Sequence, residues 1–394
     1  PNARVTNLVG VAGDSLRSTN IFAVQRPTTS SAPAVLQGLD FNLIKTLYAT
    51  SETGPVDSTN DLVQIGEVAT YQLQVQLPEG TTTNLTFTDV LPLGLSFIMG
   101  SVVVDTAALN GTLPAVVVTP DTAPEPAGNG VDITITFPGN TVVTPDGETT
   151  NDILRIRFDA LVLDTNSNVG LAGSQTVLPN TASVTYDGNP NPPATSQVVN
   201  VTVIEPQPRI VKDITPGSGD AGDQVIVTLT ITNSGLAAGY DIALTDRVDG
   251  VFYDITSISN ITAYTGWKFE VETNLPDVTV VYRAGNDGYN PPDTTLEPGE
   301  AMVFSFAVDL AQTVVPNQIH TNRAGFREVS TILANMAWEE RHYTPPEGTD
   351  TVSVVGMTLA KSLAGTSETG PVDTTGTNVT IGEVVTYRLL VTLP

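Results

Sequence analysis

The sequence predicts an all-β fold built from antiparallel sandwiches, and three observations support this prediction. Thr, Val, Asn, Gly and Pro are abundant, as is typical of β-rich proteins. Apolar and polar residues alternate over short segments, and turn sequences such as "PEG", "PDG" and "NSG" separate these segments. Long apolar patterns of helical spacing are hard to find in the chain.

The alternation also predicts which face each strand buries. In "EVATYQLQVQL" every second side chain is apolar, and the same pattern recurs in three further segments. The predicted inward-facing residues are Ala69, Tyr71, Leu73, Val75 and Leu77; Leu154, Ile156, Phe158 and Ala160; Val225, Val227, Leu229 and Ile231; and Met302, Phe304, Phe306 and Val308. Short strands separated by such turns predict domains of immunoglobulin-like architecture.

An internal repeat predicts the domain organisation. The segment "TSETGPVD" occurs at 50–57 and again at 366–373, and every position from Lys45 to Pro78 aligns without insertion with one 316 residues later. The opening "PNARVTN" likewise resembles "PNQIHTN" at 316–322. We therefore predict the C-terminal part of one domain at 1–38, complete sandwiches at 39–205 and 206–356, and the N-terminal part of another domain of the first type at 357–394.

Both ends of this sequence are predicted to interrupt domains. We expect the polypeptide to continue on either side and complete them; strand donation between neighbouring subunits is the alternative. The Pro-rich segment "VIEPQPRIV" at 203–211 is predicted to be a short, stiff spacer between the two complete domains.

Charge and composition exclude several classes of partner and site. The chain has 42 acidic and 16 basic residues, a net charge of −26, which argues against nucleic acid and anionic membrane surfaces as partners. No apolar run approaches the length of a membrane-spanning helix. The absence of cysteine excludes disulfides and thiolate metal sites.

Lysine is rare and repeatedly placed. Three of the four lysines, Lys45, Lys212 and Lys361, fall on the predicted first strand of a domain. Arg fills the other basic positions, so a reserved primary amine indicates chemistry that a guanidinium group cannot perform. Each complete domain also has an Asp after a strand and an Asn in its closing strand. These residues are Asp89 and Asn180 in the first domain, and Asp246 and Asn322 in the second.

Lys, Asp and Asn are the components of an intramolecular isopeptide bond. Burial would favour the neutral, nucleophilic amine of the Lys and the neutral carboxylic acid of the Asp, which can polarise the Asn carbonyl. Strands that hold amine and amide together make the reaction local, and ammonia leaves. The alternative is a buried or edge ion pair of Lys and Asp beside an unrelated Asn.

These residues lie within motifs that resemble a known family. The strings "TSETG", "IGEVxTYxLxVxLPEG", "TDxLPxGL" and "PNTAxVTY" are similar to the conserved repeat domain of bacterial and archaeal cell-surface proteins, which is related to isopeptide-forming shaft domains of Gram-positive fimbriae. The likeness covers the first domain and its restarted copy. In the second domain the segment "TNSGLAAGYDIALTDRV" fits the family pattern, but "VDGVF" stands in place of "LPxGL". This difference weakens the transfer of the assisting role to Asp246.

The resemblance implies specific partners for each lysine. Lys45 would bond to Asn180 with help from Asp89, and Lys212 to Asn322 with help from Asp246. Asn7 would pair with a Lys before this sequence, and Lys361 with an Asn beyond it. The acids that follow a glycine are the alternative assisting residues: Glu67, Asp223 and Glu383.

Other sites have less support from the sequence. Only His320 and His342 are available, so neither a histidine-based triad nor a zinc site is expected. The acidic loops "SETGPVDSTND", "PDGETTND" and "AGNDGYNPPD" offer oxygen ligands suited to Ca²⁺ but lack EF-hand spacing. We therefore expect no cofactor and leave Ca²⁺ binding open.

The sequence thus predicts an extracellular, non-enzymatic repeat protein of the cell surface. It would form a fibre or stalk of tandem sandwiches, with other copies of the repeat as partners along one chain or between subunits. The alternative is a surface adhesin that presents loops to a glycan or protein ligand. An exposed aromatic cluster would favour that alternative, and the two tryptophans are Trp267 and Trp338.

Overall fold

The computed structural model is all-β within the part of the chain that it describes, as the sequence predicts. The described residues are 5–7, 34–36, 41–51, 61–121, 126–148, 150, 152–188, 193–262, 266–284, 295–332, 341–367 and 379–393. The chain divides into two compact units with a boundary between Ile204 and Glu205. Within the described ranges, no helix has the length and apolarity to cross a membrane.

The first unit consists of short strands joined by turns. Its strands are β1 (Val5–Asn7), β2 (Ala34–Leu36), β3 (Leu43–Thr50), β4 (Leu62–Val63), β5 (Val68–Gln76), β6 (Gly80–Val90), β7 (Leu95–Ile98), β8 (Val103–Asp105), β9 (Gly111–Thr112), β10 (Val117–Thr119), β11 (Pro126–Asn129), β12 (Ile133–Val143), β13 (Ile153–Val162), β14 (Val177–Thr185), β15 (Ala194–Thr195) and β16 (Val199–Val203). Strands β1 and β2 pair only with each other among the described strands.

The remaining strands of the first unit form two sheets. Sheet 1A has the order β11-β7-β13-β5-β3, with β8 beside β13. Sheet 1B has the order β10-β12-β6-β14-β16-β4, with β9 beside β12 and β15 beside β14. Apolar side chains from both sheets, among them Phe158 of 1A and Phe87 of 1B, form one buried core. The two sheets therefore make a sandwich.

The second unit has strands of similar length. They are β17 (Pro208–Thr215), β18 (Ser218–Gly219), β19 (Gln224–Asn233), β20 (Tyr240–Val248), β21 (Tyr253–Asn260), β22 (Trp267–Asn274), β23 (Asp277–Ala284), β24 (Ala301–Leu310), β25 (Ile319–Ser330), β26 (Gly348–Val354), β27 (Thr358–Thr366) and β28 (Val385–Thr392). Sheet 2A has the order β17-β19-β24-β21, and sheet 2B the order β18-β26-β25-β20-β23-β22. Apolar residues of both sheets again share one core.

The two sandwiches have the same topology. In 1A and 2A the first strand (β3 or β17) lies at the edge, followed by the second long strand (β5 or β19) and the late strand (β13 or β24). In 1B and 2B the strand that carries the Asn (β14 or β25) lies between β6 or β20 and β16 or β26, and the short β4 or β18 pairs in parallel at the far end. The prediction that this strand closes each domain is wrong, because β16 and β26 follow it in the chain and pair beside it. The second domain therefore keeps the strand order of the first, although its sequence matches the repeat motifs less fully.

The predicted inward faces are buried in both units. The side chains predicted to face the core on β5, β13, β19 and β24 are all buried. Trp267 is half-buried, and its ring lies 4.7 Å from that of Phe304, so it contacts the core of its sandwich. Trp338 lies outside the described residues.

Strands β27 and β28 form a separate hairpin that copies β3 and β5. Lys361 pairs with Leu389 in this hairpin, just as Lys45 pairs with Leu73. The apolar side chains of the copy are exposed: Tyr387 is 54% exposed, whereas its counterpart Tyr71 is fully buried.

Candidate functional site

The first unit brings the predicted Lys, Asp and Asn into its core from both sheets. Lys45 occupies an inward position of β3, in alternation with buried Leu43, so the strand pattern that buries leucine also buries the lysine. Asp89 lies on β6 and Asn180 on β14, neighbouring strands of sheet 1B. All three polar residues are at most 1% exposed.

Strand register places Asp89 and Asn180 side by side. Asp89 lies directly opposite Ala182 in the antiparallel pairing of β6 and β14. Asn180 lies two residues before Ala182 and therefore points to the same face of the sheet. Diagonal neighbours of this kind are within reach of each other's side chains.

Lys45 and Asp89 form a buried ion pair across the sandwich. The Lys45 Nζ donates a hydrogen bond to the Asp89 Oδ2. The same Nζ lies 4.7 Å from the ring centroid of Tyr71 and 5.4 Å from that of Phe158. The amine is thus enclosed by one carboxyl group and two aromatic rings, with no water-exposed side.

Burial shifts both members of this pair toward their neutral forms. Loss of hydration lowers the pKa of Lys45 to about 8, and the nearby Asp89 offsets only part of this effect. Burial also raises the pKa of Asp89, against the opposing influences of Lys45 and then of Asn180. A neutral amine beside a neutral carboxylic acid is the state that a nucleophilic attack by lysine requires.

The side-chain amide of Asn180 lacks the hydrogen bonds that a buried amide normally makes. Neither its Oδ1 nor its Nδ2 has a hydrogen-bond partner among the described residues. The amide nevertheless lies close enough to influence the pKa of both Asp89 and Tyr71, at a geometry short of a full hydrogen bond. Because an unsatisfied buried polar group costs roughly 1–3 kcal/mol, this amide calls for a functional explanation.

The second unit contains the same arrangement. Lys212 on β17 donates to the Oδ2 of Asp246 on β20, and both side chains are buried. Asp246 lies opposite Ala324 on β25, and Asn322 again lies two residues earlier on the same face. The offset between Asp and Asn is therefore identical in the two sandwiches.

The electrostatics of the second site have the same signs. Burial lowers the pKa of Lys212, with Asp246 and then Asp350 acting in the opposite direction. Burial raises the pKa of Asp246. The Asn322 Oδ1 accepts a hydrogen bond of 2.6 Å from the Arg323 N–H, whereas its Nδ2 has no partner within the described part of the chain.

The alternative assisting acids take part in turns instead. The carboxylates of Glu67, Asp223 and Glu383 each accept a hydrogen bond of 2.8 Å from the backbone N–H three residues earlier. The ion pairs of Lys45 and Lys212 are made with Asp89 and Asp246.

The two partial sites are only half present in the described residues. Lys361 on β27 is exposed, and its Nζ lies 3.9 Å from the ring centroid of Tyr387. Asn7 lies on β1, opposite Ala34. In the part of the chain that the structure describes, Lys361 does not form the buried ion pair with an Asp that Lys45 and Lys212 form.

Sequence reasoning missed one residue at each site, Tyr71 and Tyr253. Both are buried, and the hydroxyl of neither finds a hydrogen-bond partner within the described ranges. Alternation assigned Tyr71 to the core, and its repetition as Tyr387 was the only further signal. Tyr253 lies on β21, a strand unrelated in sequence to β5, so no pattern connected it with Tyr71.

No metal site is evident in the described ranges. They contain no group of three or more His, Asp and Glu side chains placed to hold an ion. Most residues of the first and third acidic loops considered for Ca²⁺ lie outside the described residues. His320 stacks on Phe252 with a centroid distance of 4.7 Å, and its Nδ1 lies 3.7 Å from the Asp249 carboxylate.

Comparisons with solved structures return pilin and cohesin domains at low similarity. No protein-family model matches the chain, and no curated protein matches it. Among solved structures, the chain is similar to the T6 backbone pilin of Streptococcus pyogenes, with 13% identity and a TM-score of 0.30, over 92% of this chain and 62% of that one.

Two further structures illustrate the range of these similarities. The major pilin subunit BcpA of Bacillus cereus is 10% identical with a TM-score of 0.27, over 80% of this chain and 69% of that one. A cohesin module of a family 33 glycoside hydrolase from Clostridium perfringens is 8% identical with a TM-score of 0.27, over 39% of this chain and 99% of that module.

Proposed function

We propose that this chain is a structural component of an extracellular fibre or cell-surface stalk, in which an intramolecular isopeptide bond locks each sandwich. One observation carries the proposal. In two sandwiches of different sequence, a buried lysine contacts a buried aspartate, and an asparagine lies on the neighbouring strand at the same register offset.

The reaction needs only the chain's own side chains. The neutral Lys45 Nζ attacks the Asn180 Cγ, and the electron pair of the C=O bond moves to Oδ1. Asp89, in its neutral form, delivers its carboxyl proton to Nδ2 and takes one from the attacking nitrogen. The Cγ–Nδ2 bond then breaks, ammonia leaves, and the C=O bond re-forms. The products are one secondary amide and one molecule of ammonia. Because the chain modifies itself once, we propose no turnover and no cofactor.

A plain buried ion pair explains the site less well. Such pairs often contribute little net stability, because desolvation offsets their attraction. The ion-pair reading also leaves the unsatisfied amide of Asn180 without a role. A bond between Asn180 and Lys45 would account for the burial of the lysine and would use the amide that otherwise lacks hydrogen-bond partners among the described residues.

The location of the bond supports a mechanical role. It would join the first strand of the sandwich, β3 in sheet 1A, to β14, the last long strand of sheet 1B. A covalent bond between sheets at these strands would carry tension through the domain without strand separation. A chain without cysteine would gain a link that does not depend on redox conditions.

The test is intact-mass measurement of the purified chain, followed by peptide mapping. We expect a mass lower by two molecules of ammonia and two branched peptides, one joining Lys45 to Asn180 and one joining Lys212 to Asn322. The Lys45→Ala variant should lose only the first bond. Lys268→Ala, which removes the exposed fourth lysine, is the matched control and should keep both. A wild-type chain with the unmodified mass would leave only the ion-pair interpretation.

A further inference from the structure

A buried tyrosine hydroxyl without a hydrogen bond is present at each site. Tyr71 is fully buried and Tyr253 is 1% exposed, and neither hydroxyl has a partner among the described residues. Tyr282, in the same core as Tyr253, shows the usual arrangement, because its hydroxyl donates to the Ser305 carbonyl at 2.8 Å. Since a buried hydroxyl without a partner is costly, two such hydroxyls at two equivalent sites indicate a purpose other than packing.

Each hydroxyl lies beside the Asp and Asn of its own site. After burial itself, the charge of Asp89 raises the pKa of Tyr71, and the nearby Asn180 carboxamide lowers it. Asp246 and Asn322 act on Tyr253 with the same signs. Because the net pKa of both tyrosines is raised, each hydroxyl keeps its proton beside the reacting amide.

The two tyrosines reach this place from different strands. Tyr71 on β5 lies opposite Phe158 in sheet 1A. In sheet 2A the residue opposite Phe306 is Val227, so Val227 is the counterpart of Tyr71 in the second unit. Tyr253 on β21 lies opposite Leu310.

The counterpart of Tyr253 in the first unit is an aliphatic residue. In sheet 1A, Leu95 lies opposite Val162, which is four residues after Phe158. Leu310, the partner of Tyr253, is likewise four residues after Phe306, so Leu95 is the counterpart of Tyr253. The tyrosine and the smaller aliphatic residue have thus exchanged strands between the two sandwiches, while a hydroxyl remains beside the Asp and Asn pair in both. Conservation of core volume alone would require neither residue to carry a hydroxyl.

We infer that Tyr71 and Tyr253 are catalytic residues of the linkage reaction, each donating its hydroxyl proton in a hydrogen bond to the Asn Oδ1. This inference rests on the isopeptide bond proposed above. When the Lys nitrogen attacks Cγ, negative charge develops on Oδ1, and a fixed donor in a water-free site stabilises it. The Tyr proton is shared and not transferred, so the bonds formed and broken stay as described, with ammonia as the leaving group.

The experiment is timed cell-free synthesis of the full chain, with peptide mass spectrometry to follow each bond separately. In Tyr71→Phe the ring and its volume remain and only the oxygen is lost. Removal of one oxyanion donor costs about 10²-fold in rate in enzymes, so we expect slowing of about this size for the Lys45 bond. The Lys212 bond of the same molecule should form at the wild-type rate and serves as an internal control. Tyr253→Phe should give the reverse pattern.

Tyr282→Phe separates a chemical role from a structural one. It removes a hydroxyl that is hydrogen-bonded, so it should lower the melting temperature and leave the rate of the Lys212 bond unchanged. Tyr71→Phe should instead slow its bond without lowering the melting temperature of the unlinked domain, measured in an Asn180→Ala background.

The outcomes discriminate between the two proposals. If the wild type forms both bonds and Tyr71→Phe forms its bond equally fast, or if the variant fails to fold, the assignment of Tyr71 is overturned while the isopeptide bond stands. If the wild type never forms a bond, the proposed function itself fails.

Discussion

Asn180 lies two residues from the position directly opposite Asp89 on the neighbouring strand, and both side chains enter the core from the same face of sheet 1B. The same offset relates Asn322 to Asp246 in sheet 2B. Because side chains alternate along a strand, a register shift by one residue would turn the amide to the outer face and separate it from the carboxyl. Register, more than loop length, therefore defines the site.

Removal of the amide is expected to destabilise the first sandwich strongly. Asn180→Ala leaves Lys45 and Asp89 in place but prevents the covalent bond. Closure of a loop of over a hundred residues is worth about 5 kcal/mol by analogy with disulfides, and the unpartnered amide offers little other stabilisation. Calorimetry should show a lower transition for the first sandwich alone, and Asn322→Ala should lower only the second. Unchanged transitions in both variants would contradict covalent linkage.

The stability of an unlinked first sandwich should depend on pH through Lys45. In Asp89→Asn the lysine stays buried, loses the partner that raises its pKa, and therefore has a folded-state pKa below about 8, against 10.5 for the ordinary side chain. Between these values the unfolded chain binds more protons than the folded chain. Between these two pKa values the free energy of unfolding should then rise with pH by at most about 1.4 kcal/mol per pH unit, so the variant should be least stable at the low-pH end of this range.

Denaturant titrations across this range would measure the effect. The double variant Lys45→Met, Asp89→Asn has no amine to titrate and should show no such slope. A pH-independent stability of the single variant would mean that the amine is either solvated or already consumed in a bond, contrary to the role proposed for Asp89.

Strand identity and direction of burial could be predicted from the sequence because alternation directly reflects which face meets the core. The rarity of lysine and its place on the predicted first strand of each domain pointed to Lys45 and Lys212, and the residue types pointed to Asp89 and Asp246. The register between β6 and β14 could not be predicted, because it depends on the pairing of segments about ninety residues apart. For the same reason no sequence pattern connected Tyr71 with Tyr253, which lie on strands with no common motif.

The second site should require glycine at position 348, because the backbone of β26 passes close to that of β17 there. A Cβ at this position would lie 3.1 Å from the Lys212 backbone nitrogen and 3.2 Å from the Ile210 carbonyl oxygen, which leaves no room for a branched side chain. We expect Gly348→Val to displace β17 and to prevent the Lys212 bond while the Lys45 bond still forms. Gly325→Ala is the matched control, because its Cβ would make only an ordinary contact of 3.4 Å with the Glu347 side chain. Peptide mapping would detect both bonds, and a normal Lys212 bond in Gly348→Val would show that β17 can adjust.

Force measurements on single molecules should distinguish a covalent link from a strong ion pair. If Lys45 is bonded to Asn180, tension passes from β3 to β14 through the bond, and the roughly 135 residues between them cannot extend. In the wild type the first sandwich should then give no extension step from this segment. In Lys45→Ala the same segment should extend by up to about 450 Å. Lys268→Ala, which removes the exposed lysine, should behave as the wild type does. A full-length step in the wild type would indicate that the strands are held only by non-covalent contacts, because an ion pair yields under load and a peptide-like bond does not.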